Sequence, residues 1–187
     1  MTAASAIMQD AETIVVGAGP AGLACAATLR RAGGSVIVLE AADKVASSWR
    51  GHYDRLNLHT TKRQSGLPGL PMPNRYPKYP SRDQVIAYLE DYAEHHRIVP
   101  RFGARVLRIK RHGNWCVETD TGMLTAGNVI FATGIAGSPF RPDWPGMEGF
   151  AGRLLHSSEY VNPKPFSGCR VLVVGFGNSG GDRKSVV

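Results

Sequence analysis

The sequence lacks a cysteine pair. Cys25, Cys116 and Cys169 stand far apart with no CxxC or CxxxxC spacing. That argues against a zinc site and a redox-active disulfide, and suits a reducing compartment. No run of 18 apolar residues occurs, so no membrane-spanning helix is expected. Residues 1–10 (MTAASAIMQD) have no cationic start followed by a long apolar stretch, so no secretory signal is expected either. Together these absences point to a cytoplasmic location. There is also no block of like charge. The net charge is +7, but its basic residues are spread from Arg30 to Lys184. Dispersed in this way they read as a solvated surface with some attraction for phosphates, and not as a footprint for nucleic acid.

What is present is a succession of short β-branched runs that end in glycine. Residues 12–17 (ETIVVG) read as a buried strand, residues 21–32 (AGLACAATLRRA) as a helix with small residues on its sheet side, and residues 35–40 (SVIVLE) as a second buried strand. Strand, helix and strand within about thirty residues form a βαβ crossover. Residues 49–80 contain GLPGLPMPNRYPKYP, whose prolines oppose helix and ladder alike; this predicts an extended loop that covers something. Ser81 and Gln84 have capping-box spacing, and Val85, Ile86, Leu89, Tyr92 and Ala93 then supply one helical face. Residues 102–125 alternate in short runs with turns at 112–114 and 120–122, an antiparallel meander. Residues 128–134 (NVIFATG) and 170–175 (RVLVVG) read as two further buried strands.

Two of these strands lead into the same glycine pattern. GAGPAG fits G-x-G-x-x-G through Gly17, Gly19 and Gly22, with Ala18, Pro20 and Ala21 between them. The first glycine permits the tight turn, the second admits a pyrophosphate, and the third lets the helix pack on the strand. The N–H groups that open the helix favour the phosphates. Glu40, at the end of the second strand, is placed to accept from a ribose hydroxyl and to repel a 2′-phosphate, which selects FAD or NAD over NADP. The meander, and the strand after it ending in Ala132, Thr133 and Gly134, favour FAD. GFGNSG repeats the pattern through Gly175, Gly177 and Gly180, with Asn178 and Ser179 inside the turn. Two such turns about 160 residues apart suggest two nucleotides, one a flavin and one a hydride donor.

Between the turns, Phe150, Gly152, His156 and Tyr160 match F-x-G-x-x-x-H-x-x-x-(F/Y). With both turns in place, the chain resembles the N-terminal part of the flavin-containing monooxygenases, including the plant indole-pyruvate enzymes, from about Thr13 to Asp182. The resemblance implies a two-dinucleotide flavoprotein: a Rossmann-like FAD-binding α/β domain with a meander insertion over residues 1–160, and the start of an NADPH domain over 161–187. It implies FAD and NADPH as cofactors, and O₂ and a small nucleophilic or carbonyl substrate as partners. Oxygen transfer would pass through a C4a-(hydro)peroxyflavin kept from water, with no side chain as catalyst. It also places Ser48, Trp49, His59 and Thr60 beside the flavin nucleotide, and makes His156 an orienter within a linker. After Gly180 the family continues as an apolar helix and 200 or more residues, whereas this sequence reads GDRKSVV. A truncated chain is therefore expected, and with it the alternative of a non-catalytic FAD-binding remnant. A disulfide reductase-like reading is opposed by the missing cysteine pair.

Overall fold

The computed structural model describes residues 9–135, 137–175, 177–178 and 180–181. Strand β1 (Gln9–Val16) runs into helix α1 (Pro20–Arg31) and then strand β2 (Val36–Leu39). β1 and β2 are parallel, with Thr13 opposite Val36 and Val16 opposite Leu39. Single-turn helices α2 (Ser47–Arg50) and α3 (Lys62–Ser65) interrupt the long connection to helix α4 (Arg82–His95). Strands β3 (Val106–His112), β4 (Asn114–Thr119) and β5 (Gly122–Phe131) follow. All five strands form one sheet in the order β2-β1-β5-β4-β3.

β1 is an interior strand, paired with β2 and β5, and both of its faces are apolar. Ile14 and Val15 are fully buried and, one residue apart, point to opposite sides of the sheet. Val15 and Val38 meet Leu23, Ala26 and Ala27 of α1 and Val85, Leu89 and Tyr92 of α4. Ile14, Val16 and Leu39 meet Ala104, Val117 and Leu124. This is the α/β, Rossmann-like fold expected from the sequence.

The sheet departs from expectation in three places. The third meander strand and the returning strand are one element. β5 pairs antiparallel with β4 from Gly122 to Ala126 and parallel with β1 from Leu124 to Phe131. The meander therefore extends the main sheet without a break. Second, β5 stops at Phe131, which is 67% exposed, so residues 128–134 are only half-buried. Third, residues 171–175 are not a strand. Leu172 is 86% exposed and Val174 70%. An apolar run becomes a buried strand only when neighbours pair with it and cover it, and no described segment does so here.

The capping box forms as read. Ser81 Oγ accepts from the Gln84 amide, and Gln84 Oε1 accepts from the Ser81 amide. Tyr88 joins the predicted buried face of α4. Its hydroxyl accepts from the Leu67 amide and donates to the Leu70 carbonyl, each at 2.6 Å. Tyr92 donates to the Pro68 carbonyl at 2.7 Å. Burial raises the pKa of both tyrosines, which keeps them as donors. Lys62 Nζ donates to the carbonyls of Asn74 and Tyr76. The proline-rich connection is thus a fixed cover over α4, with Met72 and Tyr76 turned into the core.

Candidate dinucleotide site

The turn between β1 and α1 shows why each of its glycines is there. Gly17 has φ +108°, and a Cβ on it would sit 2.5 Å from the Ala132 carbonyl oxygen. A Cβ on Gly22 would strike the Gly17 carbonyl oxygen. Both positions are therefore dictated by the protein's own packing. Gly19 is different. Its φ of −82° suits any residue, and nothing described lies within 4 Å of where its Cβ would be. The space over Gly19, at the amino end of α1, is a cradle that any other side chain would enter. It fits the pyrophosphate of a dinucleotide.

Glu40 is held against this turn. The carboxylate is buried; its Oε2 accepts from the Ala18 amide at 2.8 Å. Its Oε1 accepts from the Ala42 amide at 3.0 Å and from Ser47 Oγ at 3.2 Å. The Ala46 amide donates to the Ala18 carbonyl at 3.2 Å, which ties the start of α2 to the same turn. Of the neighbouring serines, Ser47 faces Glu40, while Ser48, chosen from the sequence, is exposed. Nothing in the sequence distinguishes the two. The left-handed conformation of Ala46, with φ 60°, decides which one turns inward.

Beside the turn lies a cavity of about 190 Å³ whose walls include Pro20, Trp49, Leu58, Thr60, Met72 and Tyr88. Trp49 is half-buried and meets His52 edge-on. Thr60 Oγ1 shares a hydrogen bond of 2.7 Å with Ser65 Oγ. His59 is exposed and is not part of the wall. Thr133 and Gly134 are exposed beyond the end of β5, close in sequence to Ala132, whose carbonyl backs Gly17.

The second glycine turn repeats the local geometry of the first. Gly175 has φ +116°, a Cβ on Gly180 would strike the Gly175 carbonyl oxygen, and nothing described lies near a Cβ on Gly177. Asn178 is in a helical turn, and Gly181 donates to the Gly177 carbonyl at 2.9 Å. Ser179 lies outside the described residues.

The segment between the turns folds around its four marked residues. A side chain on Gly152 would meet the Phe150 ring at 2.5 Å. His156 caps the 3₁₀ turn Ser157–Glu159: its Nδ1 accepts from the Ser158 amide, and its own amide donates to Glu159. That bond, with Arg141 nearby, holds the Glu159 carboxyl below its usual range. Tyr160 is buried between Tyr53 and Phe166. Asp54 accepts from Asn162 and Arg82, and its amide donates to the Val161 carbonyl. The segment is thus docked on the first half of the chain.

A family profile described as pyridine nucleotide-disulphide oxidoreductase matches residues 14–184. The chain belongs to this family. Its three cysteines are nevertheless free. The chain is 49% identical to the indole-3-pyruvate monooxygenase YUCCA1 of Oryza sativa subsp. japonica, over 89% of this chain and 42% of that enzyme. The structure of the flavin-containing monooxygenase from Stenotrophomonas maltophilia superposes with a TM-score of 0.87 at 36% identity, over 92% of this chain and 53% of that one. A complex of OTEMO with FAD and NADP gives 0.64 at 25%, over 81% and 31%. These similarities bear out the resemblance to the N-terminal part of the flavin monooxygenases. The chain spans less than half the length of the rice enzyme.

Proposed function

We propose that this chain is the flavin-holding part of an FAD- and NADPH-dependent monooxygenase that acts on a small nucleophilic or carbonyl substrate with O₂. One observation carries the reading: of three glycines in the first turn, two are needed by the fold, and the third, Gly19, leaves open a space at the amino end of α1 of the kind a pyrophosphate occupies. FAD would supply the oxygen-activating chemistry and NADPH the hydride. The residues' own part is to bind and orient. The amide groups that open α1 face the phosphates. Glu40 accepts from the ribose. Trp49 and Thr60, with Leu58 and Pro20, offer the ring end of the flavin an apolar wall that excludes water. Ser48, His59, Thr133 and Gly134 border this path.

Gly175, Gly177, Asn178, Ser179 and Gly180 would form the phosphate turn for NADPH, in a second domain starting near residue 161. A cytoplasmic location accords with the three unpaired cysteines; no helix among the described residues is long and apolar enough to cross a membrane. The test is Gly19→Val. At φ −82° and ψ −174° a side chain is sterically allowed, so the far-ultraviolet spectrum should match the parent, with a melting temperature lower only by the weaker helix cap. The purified parent should take up FAD and absorb near 450 nm, and the variant should not. A variant as yellow as the parent would remove the pyrophosphate from this turn.

A further inference from the structure

Glu40 is an acceptor most of whose capacity is already assigned. A carboxylate offers about four lone-pair sites. Ala42 and Ser47 fill the two on Oε1, and Ala18 fills one of the two on Oε2. The free site therefore belongs to Oε2, the oxygen that also touches the glycine turn. Two of the three donors are backbone amides that the fold supplies with any sequence. The third is the Ser47 hydroxyl, delivered by a turn under strain. Ala46 is fully buried at φ 60°, a left-handed conformation that alanine rarely adopts. Packing and the amide bond to the Ala18 carbonyl hold it there. Without the hydroxyl, Oε1 regains a free site, and a ligand hydroxyl has an acceptor on either oxygen.

We propose that Ser47 is a positioning residue for nucleotide recognition: it fills Oε1 of Glu40 so that a ribose hydroxyl of an adenosine diphosphate group is received on Oε2 alone, beside the phosphate cradle. The inference rests on the FAD reading of the glycine turn, and it concerns a residue that acts through Glu40 and not on the ligand.

The experiment is calorimetric titration of the full chain with ADP and with 2′,3′-dideoxy-ADP, which lacks both ribose hydroxyls. The parent should prefer ADP by roughly tenfold, the worth of one hydrogen bond to a charged group. Ser47→Ala should weaken ADP about three- to tenfold and leave the dideoxy ligand unaffected, so that the preference collapses. Ser47→Cys, with similar shape and a weak donor, should behave like alanine, and Ser47→Thr should restore the preference. If Ser47→Ala weakens both ligands equally, or leaves the preference intact, Ser47 does not position Glu40 and the inference fails while the flavin reading stands. If the parent binds neither ligand, or binds both alike, the nucleotide reading of Glu40 fails and takes the inference with it.

Discussion

The two glycine turns have the same local form and different surroundings. In each, the first glycine has a positive φ, the third sits where a Cβ would strike the first carbonyl, and the middle one faces open space. The first turn follows β1, which is paired on both sides and buried on both faces. The second follows residues 171–174, of which Val171, Leu172 and Val174 lie exposed, with no paired neighbour among the described residues. The same glycine turn therefore forms with a paired strand before it and without one. The first turn belongs to the core. The second is attached to it through the segment around Tyr160 and Asp54.

The sharpest test of this contrast is to place the same methyl group in both turns. Gly22→Ala pushes a Cβ into backbone inside the core and should cost about 3 kcal/mol or more in urea unfolding. Gly180→Ala makes the same local clash outside the core and should change stability by less than about 0.5 kcal/mol. Equal losses would show that the second turn is part of the cooperative unit.

Next in size is Glu40→Ala, which strips an acceptor from Ala18, Ala42 and Ser47 together. Leaving such donors unmatched should cost about 2 kcal/mol in the same assay. It should also weaken FAD roughly ten- to a hundredfold in titrations of the apo-protein. An unchanged melt would mean that Glu40 does not tie the first turn to β2.

A smaller effect distinguishes the two regions by pH. Burial, together with His95 and Arg31, holds the His96 pKa below its ordinary value. Below about pH 6.5 the unfolded chain takes up this proton before the folded one does. The contribution of His96 is therefore complete above that pH and is lost as the pH falls. The His96 ring packs at a tilt against Tyr92, whose hydroxyl holds the proline-rich cover. The melting temperature should drop between pH 7.5 and 5.5, and less so in His96→Phe; equal drops would discount the histidine.

Smallest of all, Leu172→Lys with Val174→Lys should move stability by under about 0.5 kcal/mol while reducing self-association in sedimentation, because both side chains face solvent. A marked destabilisation would mean that these residues are covered in solution.

Much of the first half of the chain was legible in advance. Gly22 against the Gly17 carbonyl, and Ser81 with Gln84, are contacts made within a few residues, where the chain's own geometry decides the outcome. The meander's turns were legible for the same reason. Its merger with the returning strand was not, because Gly122–Phe131 pairs with β4 on one side and with β1 on the other. RVLVVG failed as a strand because its apolar pattern states a capacity to be buried and says nothing of whether a neighbour is present. In the candidate site, Glu40 and the glycines could be read from spacing, whereas Ser47 could not be told from Ser48.

What the sequence by itself determined is therefore the local form of the protein: two glycine turns, a capped helix and the succession of strand, helix and strand, each written in patterns that span at most some thirty residues. The tertiary structure alone decided which turn is backed by a sheet, which serine reaches Glu40, and that Tyr88 and Tyr92 fasten the proline-rich cover. Those outcomes depend on groups far apart in the chain, and only packing brings them within hydrogen-bond distance.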